Sequence, residues 1–248
     1  ELVNDVVPGA RRLGTDRIDL YQVHFDDPKT PVLETVSALE DLISAGKIRK
    51  YGICHLSTER ALDYAESGDI FSILMELSPV ARTSLQTLLP ICQDHDLAAF
   101  AFSVTGRGIL SGRYTSDYEF SEGDIRRMDP LFKRERFDSA LRIQNTLMDI
   151  GERYESSAVQ MGIAWVLAQP SVTCALTGTS SLKHLDENIA ACKIAWTQGD
   201  LAGFDQFLTD EDKRLAAVQQ TSLQSLLTQP LDRDPERAFN DLVYVLET

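Results

Sequence analysis

The sequence is poor in the residues that build disulfide frameworks and metal sites. Its 248 residues include four cysteines and four histidines. The cysteines lie far apart and none forms a C-x-x-C pair, which excludes the close ligand spacing of zinc fingers and thioredoxin-type sites. The histidines show no H-E-x-x-H or H-x-x-x-H helix spacing. The spacing therefore predicts structural thiols and no metal site.

Positive charge and long apolar runs are also scarce. Lys and Arg number 24 against 38 Asp and Glu, which gives a formal net charge of −14. This negative excess disfavours binding to phosphate backbones and to anionic lipid. No run approaches the roughly 18 consecutive apolar residues of a membrane span, and no signal-peptide h-region opens the sequence. We therefore expect a cytoplasmic protein that binds neither nucleic acid nor membrane.

The apolar segments alternate between strand and helix patterns. Short β-favouring runs predict five strands, at residues 18–24, 51–54, 71–76, 97–102 and 172–176. Amphipathic segments predict the intervening helices, at residues 30–46, 57–67, 84–95, 139–154, 158–168 and 182–192. This alternation without hairpin turns predicts parallel strands with crossover helices. The segment 103–138 is too long for a simple connection, so we expect a functional loop there.

Several helix starts carry capping residues. Thr30 is predicted as an N-cap with Pro31 at the first helical position, and Ser57 as the N-cap of the next helix. Ser157 and Gln160 have the spacing of a capping box. In the tail, a Thr209-capped helix is expected to reach about residue 227, followed by an amphipathic stretch at about 235–246. Five strands are fewer than the eight of a closed parallel barrel, so the sequence predicts an incomplete barrel or an open sheet.

Two of the predicted strands resemble the aldo-keto reductase family. Leu20-Tyr-Gln-Val-His24 is similar to the fourth strand of that barrel, with the active-site histidine at its tip. Ala45-Gly-Lys-Ile-Arg-Lys-Tyr-Gly-Ile53 resembles the stretch that leads into the fifth strand. The resemblance implies a (β/α)8 TIM barrel, here an incomplete barrel with strands four to eight and C-terminal helices. Residues 1–248 are then expected to form a single domain, with 209–248 as a C-terminal helical extension.

Two later segments resemble the cofactor-binding parts of the same family. The stretch with Phe102-Ser103 and Gly106-Arg107-Gly108 is similar to the segment that wraps the cofactor pyrophosphate. Leu176-Thr-Gly178-Thr179 followed by His184-Leu-Asp-Glu187-Asn188 resembles the segment that holds the adenosine 2′-phosphate and the adenine. The four resemblances occur in the family's order and cover roughly residues 10–195.

The resemblance implies an oxidoreductase that reduces an aldehyde or ketone with NADP or NAD as the cofactor. His24 is the expected catalytic residue, which would orient and polarise the substrate carbonyl. The expected cofactor-binding residues are Cys54, His55, Phe102, Ser103, Gly106, Arg107, Gly108, Gly178, Thr179, Ser180, Glu187 and Asn188. The family carries its catalytic Asp, Tyr and Lys on the first three strand–helix units, upstream of the resemblance. We therefore expect the 248-residue chain by itself to lack reductase activity.

Five positions depart from the family pattern. Cys54-His55 stands where the family usually has Ser-Asn to hold the nicotinamide carboxamide, and Leu74 where it has a Gln for the same amide. Phe102 replaces the usual Tyr stacked on the nicotinamide. Ser180 replaces the basic residue that binds the 2′-phosphate, although Lys183 is close along the chain. The sequence therefore predicts weakened discrimination in favour of NADP.

These departures leave a second function open. A non-catalytic relative that binds nucleotide and serves as a regulatory or scaffold protein would accept Leu74 and Cys54-His55, whereas His24 favours the enzyme. A third hypothesis, an unrelated phosphate-binding barrel enzyme, is disfavoured because no Gly-rich phosphate loop lies near the last strand.

Overall fold

The computed structural model describes residues 2–228, and the side chains of residues 6–224. Its strands pair in parallel in one sheet and in chain order. They are β1 (Ile18–Val23), β2 (Ile48–Cys54), β3 (Ser72–Glu76), β4 (Ala98–Phe102) and β5 (Val172–Ala175). Within the described residues the sheet is open, with β1 and β5 at its edges. Sequential parallel order is that of a (β/α)8 barrel, so the predicted fold class is confirmed.

Helices connect the strands and follow the last one. They are α1 (Leu2–Arg12), α2 (Val32–Ser44), α3 (Thr58–Ser67), α4 (Leu88–Asp94), α5 (Arg134–Arg153), α6 (Ala158–Leu167), α7 (Leu182–Ala190) and α8 (Gln198–Thr228). The predicted caps of α3 and α6 are confirmed. The Ser57 hydroxyl accepts a hydrogen bond from the Arg60 N–H at 3.3 Å. Ser157 and Gln160 each accept from the other's backbone N–H.

Two predicted helix starts are wrong. Pro31, not Thr30, occupies the N-cap position of α2, and the Thr30 hydroxyl instead donates to Asp27 at 2.8 Å. The predicted helix at 84–95 begins as a separate 3-10 turn, Thr83–Leu85, and the α-helical part starts only at Leu88. The reason is local: the Ser84 hydroxyl donates to the Glu76 carbonyl at 2.8 Å, which holds this turn on the end of β3.

The start of α8 also differs from the prediction. Thr209 lies inside the helix, where its hydroxyl donates to the Asp205 carbonyl at 2.9 Å. The capping contact is made by Thr197, whose hydroxyl oxygen accepts from the Asp200 N–H at 3.1 Å. The predicted stretch at 235–246 lies outside the described residues.

The chain divides into two compact units, one formed by residues 1–106 and 162–193 and the other by 107–161 and 194–248. The first unit contains the whole sheet. Its core is formed by apolar side chains from the strands and from the helices that cover them. Leu39 on α2 and Ile53 on β2 have no exposed surface. Burying apolar side chains of this size stabilises the fold by about 1.5–3 kcal/mol each.

Three neighbouring strands of the first unit meet very closely at Gly52. Gln22, Gly52 and Ser72 are consecutive register partners across β1, β2 and β3. The Gln22 amide donates to the Ser72 hydroxyl at 3.0 Å, directly across the glycine. A Cβ on Gly52 would lie 2.3 Å from the Gln22 Oε1 and from the Ser72 hydroxyl oxygen. The absence of a side chain at position 52 therefore permits this contact between the outer two strands.

The second unit is held together by charge and by aromatic packing. Arg142 on α5 donates to Glu211 on α8 through two guanidinium nitrogens, with the shortest contact at 2.7 Å. The loop predicted as functional contributes an aromatic cluster to this unit. It consists of Tyr114, Tyr118, Phe120 and Phe132. The Arg126 guanidinium lies over the Tyr114 ring at 5.5 Å. Part of this loop is therefore packed, through the buried rings of Tyr114 and Phe132.

No helix in the described part of the chain is both long enough and apolar enough to cross a membrane.

Candidate functional site

The candidate site begins at the carboxyl ends of the first two strands. Val23 at the end of β1 pairs with Ile53 on β2. His24 and Cys54, one residue further along, therefore leave the same edge of the sheet side by side. Val23, Ile53 and Cys54 are buried, whereas His24 is exposed. The buried strand residues fix the position of an imidazole that is itself open to solvent.

Aromatic rings surround His24 at this edge. Its ring centroid lies 4.5 Å from that of Phe25 and 4.9 Å from that of His55, edge-on in both cases. Phe25 and His55 stack on each other at 4.9 Å. His55 also meets Phe102, from the end of β4, at 5.3 Å. The tips of β1, β2 and β4 thus contribute to one group of rings, although β3 lies between β2 and β4 in the sheet.

The same edge gathers three possible metal ligands. One ligand atom from each of His24, Cys54 and His55 lies within 4.8 Å of the other two. Burial raises the pKa of the Cys54 thiol, and the His55 backbone N–H lowers it to a smaller extent. The expectation of no metal site relied on spacing along one segment. It did not consider ligands on neighbouring strands, which are 30 positions apart here.

The segment after β4 turns sharply. Ser103 has a φ of 54°, and its carbonyl accepts a hydrogen bond from the Gly106 N–H at 2.7 Å. Phe102 and Ser103 are half-buried, and Gly106 is buried. The predicted residues Phe102, Ser103 and Gly106 therefore form a tight turn directly at the tip of β4. Arg107 and Gly108 belong to the second unit, where Arg107 forms an ion pair with Asp129.

The segment after β5 leaves the same edge of the sheet, because β4 and β5 are parallel and pair through Ala101 and Ala175. Gly178 is exposed, with no atom within 4 Å of the position that a Cβ would take. The neighbouring Thr179 and Ser180 are also exposed. The Thr179 hydroxyl accepts from the Ser181 N–H at 3.1 Å. This turn presents hydroxyl groups and backbone to solvent.

Helix α7 follows this turn. Ser181 is its N-cap and accepts from the His184 N–H at 3.4 Å. Glu187 and Asn188 are half-buried on the helix. Lys183 forms an exposed i,i+4 ion pair with Glu187 at 3.7 Å. The cation nearest along the chain to Ser180 therefore already has an acidic partner.

Leu74 stands where the resemblance implies an amide-binding Gln. It lies on β3 as the register partner of Cys54 and is half-buried. A leucine side chain has no hydrogen-bonding group, so Cys54 and His55 are the nearest polar candidates for a bound carboxamide on this part of the edge.

The structure thus assembles part of the predicted site. His24, Cys54, His55 and Phe102 form one cluster in the first unit. The turn containing Gly178 and the residues of α7 follow a neighbouring strand from the same edge. The sequence predicted the individual residues at the strand tips, but it gave no sign that two histidines and a cysteine converge.

The chain resembles known proteins of a single family. The family model described as "Aldo/keto reductase family" matches residues 1–209. The aldo-keto reductase YhdN of Bacillus subtilis is 33% identical over 186 residues, which cover 75% of this chain and 56% of that protein. The NADH-specific methylglyoxal reductase of Escherichia coli is 29% identical over 199 residues, covering 79% of this chain and 60% of that protein.

A solved structure shows the same architecture. The glycerol dehydrogenase of Gluconobacter oxydans superposes with a TM-score of 0.76 at 26% identity, over 94% of this chain and 66% of that one. The chain spans less than two thirds of the length of the curated relatives that it matches.

Proposed function

Because this chain belongs to the aldo/keto reductase family, we propose that it carries the dinucleotide-binding and carbonyl-orienting part of a reductase. The reaction converts an aldehyde or ketone into an alcohol by hydride transfer. The observation that carries the proposal is the placement of His24. His24 is an exposed imidazole at the carboxyl end of a parallel strand, in contact with the ring of His55, which in turn meets Phe102. Barrel enzymes place their catalytic groups at this end of the strands.

His24 has the chemistry to orient a carbonyl. A neutral imidazole offers one N–H donor, and a hydrogen bond from it to the carbonyl oxygen would fix the substrate and stabilise charge that develops on that oxygen. Within the described residues, the ring partners of His24 are Phe25 and His55, and neither is a tyrosine. We therefore assign to His24 the role of orienting the substrate carbonyl. We do not assign the proton donor of the family mechanism to any of these three rings.

The residues present fit a nicotinamide dinucleotide. Phe102 offers a half-buried ring for stacking, and His55 can both donate to and accept from a carboxamide. The tight turn at Ser103 and the exposed hydroxyls of Thr179 and Ser180 supply donors for phosphate oxygens. When bound, the reduced dinucleotide supplies the hydride. Gly178, Glu187 and Asn188 of the same unit complete the proposed binding set.

We assign no strong preference between NADP and NAD. Ser180 is exposed and uncharged, and Lys183 is paired with Glu187. A bound 2′-phosphate would therefore meet one neutral hydroxyl rather than a free cation. The E. coli relative named as NADH-specific gives a precedent for NADH within the family.

The test is dinucleotide binding by the full chain, followed by an assay of hydride transfer. NADH and NADPH fluorescence titrations are expected to show binding that weakens in Phe102→Ala. Phe71→Ala, which removes an exposed ring at the opposite end of the strands, is the control. Addition of a test aldehyde is expected to leave the reduced dinucleotide unconsumed. Failure to bind either dinucleotide would overturn the proposal. Steady turnover would show that this chain supplies its own proton donor and would overturn the assignment of roles.

A nucleotide-binding protein without catalysis is the second candidate, favoured by the half-buried Leu74 beside Cys54. The two candidates differ in the role of His24. In a reductase, His24→Ala is expected to weaken binding of a test aldehyde to the chain–dinucleotide complex without weakening binding of the dinucleotide itself. In a binding module the aldehyde does not bind in either variant. Saturation-transfer NMR of the aldehyde separates these outcomes.

The remaining proposals concern partners and location. The substrate is a small carbonyl compound, and the net charge of −14 argues against nucleic acid or an anionic membrane as a partner. The four cysteines are free, as is usual in a reducing compartment, and we place the protein in the cytoplasm.

A further inference from the structure

We propose that His24, Cys54 and His55 form a binding site for a zinc ion. Two imidazoles and one thiol converge at the carboxyl ends of β1 and β2, and each ligand atom lies within 4.8 Å of the other two. This donor set matches zinc, which prefers nitrogen and sulfur ligands, and excludes magnesium and calcium, which prefer oxygen.

The distances between the three ligand atoms are only slightly longer than those in a zinc site. Zinc–sulfur and zinc–nitrogen bonds of about 2.3 and 2.0–2.1 Å place tetrahedral ligand atoms about 3.3–3.6 Å apart. The separations of up to 4.8 Å therefore need to close by on the order of 1 Å. His24 and His55 are exposed, so rotation of their side chains brings the ring nitrogens to the metal without movement of the strands.

The backbone places the three ligands reproducibly. Cys54 is the last residue of β2 and 1% exposed, so its position is set by the sheet. His24 follows β1, which pairs with β2 up to Val23. His55 has a φ of 50°, a left-handed turn that carries its imidazole back over the strand tip to 4.9 Å from the His24 ring. The paired strands hold the backbone at these positions, so metal binding costs mainly the rotational freedom of the two imidazole side chains.

The surroundings leave the ligand atoms free for a metal. Among the described residues, the partners of the two imidazoles are other rings: His24 contacts Phe25 and His55, and His55 contacts Phe25 and Phe102. No carboxylate belongs to this three-residue group. Binding releases the thiol proton to solvent, since the thiolate is the ligand.

Three protein ligands leave the fourth tetrahedral position open. This arrangement is typical of zinc sites that take a water or a substrate oxygen, whereas structural zinc sites use four protein ligands. The open position lies at the edge to which the carbonyl substrate is assigned. The same side chains are assigned above to the carboxamide and to the carbonyl, so zinc and the dinucleotide compete for this cluster. The zinc proposal does not rest on dinucleotide binding, because the experiment uses the metal alone.

The experiment titrates the full chain, after removal of metal with a chelator, with zinc in competition with a chromophoric chelator. One zinc per chain is expected, with affinity at least about 100-fold weaker in Cys54→Ser, since even loss of a residue that only supports a ligand weakens metal binding 10–100-fold. Cys192→Ser, which removes an exposed cysteine outside the cluster, is the matched control and is expected to bind as the parent. Magnesium is expected not to compete.

Two further measurements keep the test decisive. Cobalt in place of zinc is expected to give a thiolate-to-metal charge-transfer absorption that Cys54→Ser lacks. His55→Asn changes an exposed residue, so it retains the fold, and it is expected to weaken zinc binding where the matched His184→Asn does not. The proposal is overturned if the chain binds no stoichiometric zinc. It is equally overturned if Cys54→Ser and His55→Asn bind zinc as tightly as the parent.

Discussion

The bodies of β1 and β2, meaning the residues within the strands, are closely packed. Their tips, meaning the residues that follow their carboxyl ends, are exposed. In the bodies, Gly52 lies between Gln22 and Ser72, whose side chains meet across it at 3.0 Å. At the tips, His24 and His55 are exposed and touch other rings. Close packing makes the body intolerant of added volume, whereas an exposed tip accepts a change of chemistry at little free-energy cost. The fold and the proposed activity therefore depend on different residues of the same strands.

The largest effect is expected from adding volume in the strand body. Gly52→Val is expected to lower the free energy of unfolding by about 3 kcal/mol, at the upper end for overpacking, because a Cβ there already lies 2.7 Å from the Ser72 carbonyl oxygen. Urea denaturation measures this loss. Gly178→Val is the control, since nothing lies within 4 Å of its Cβ position. Equal losses in the two variants would contradict the contrast between body and tip.

The next effect concerns binding rather than stability. Ser180→Arg is expected to strengthen NADPH binding by about 10–100-fold and to leave NADH binding nearly unchanged, because a charge-assisted hydrogen bond contributes about 1.5–3 kcal/mol. Dissociation constants for both dinucleotides measure the change. Ser180→Gln lengthens the side chain without charge and is the control. If the parent already prefers NADPH a hundredfold and the Arg variant gains nothing, another cation binds the phosphate.

A buried hydroxyl in the strand body gives a pH-dependent prediction. The Tyr51 hydroxyl donates to Glu40 at 2.7 Å, and burial, followed by this hydrogen bond and the Glu40 charge, raises the pKa of Tyr51. The unfolded chain then loses this proton near pH 10 while the folded chain keeps it. The associated stability is present below about pH 10 and is lost as the pH rises above that value.

Tyr51→Phe tests this assignment. Its free energy of unfolding at pH 7 is expected to fall by about 1–2 kcal/mol, since the Glu40 carboxylate loses its donor, and its decline above pH 10 is expected to be shallower than in the parent. Denaturant titrations at pH 7 and pH 10.5 measure both effects. Tyr154→Phe in the second unit serves as a comparison. A parallel alkaline decline in parent and Tyr51→Phe would assign the titration to other groups.

The smallest effect is expected at a tip. His55→Ala is expected to change the free energy of unfolding by no more than about 0.5 kcal/mol, as for other exposed positions. Binding of the dinucleotide is expected to weaken about 3–10-fold through loss of one hydrogen bond. Thermal denaturation and fluorescence titration of the same preparation give the two values. A large loss of stability would show that the ring cluster is part of the core.

The sequence predicted the sheet well because buried parallel strands are short apolar runs. Each of the five observed strands coincides with a predicted one, although β2 begins at Ile48, three residues before the prediction. The alternating pattern misses Ile48–Lys50 because Arg49 and Lys50 look like turn residues. In the structure they form exposed ion pairs with Asp19 and Asp69 along the sheet.

The start of α8 could not be predicted from local pattern. Thr197 precedes Asp200 by three positions, and Thr209 precedes Asp212 in the same way, so both have capping spacing. Tertiary contacts distinguish them. The Tyr154 hydroxyl donates to Asp200 at 2.8 Å and accepts from the Thr197 N–H at 2.9 Å, which fixes the helix start there.

The sequence predicts individual residues of the candidate site but not which of them come together in the fold. The resemblance to the family's fourth strand points to His24, and the structure places this residue, exposed, directly after β1. The resemblance predicts Cys54 and His55 as replacements for the Ser-Asn pair that holds the nicotinamide carboxamide. Their convergence with His24 depends on the register of β1 and β2, in which Val23 pairs with Ile53. That register cannot be derived from the spacing of residues along a single segment.

The left-handed turns at the strand tips limit which residues can replace one another. His55 and Ser103, each following the end of a strand, have φ values of 50° and 54°. Glycine, asparagine, aspartate and histidine adopt this conformation more readily than β-branched residues do. A protein engineer can therefore exchange amide, carboxylate and imidazole at position 55 on one unchanged backbone, while valine or isoleucine there would strain the turn. The φ angle of residue 55 therefore limits which side chains can stand at this tip.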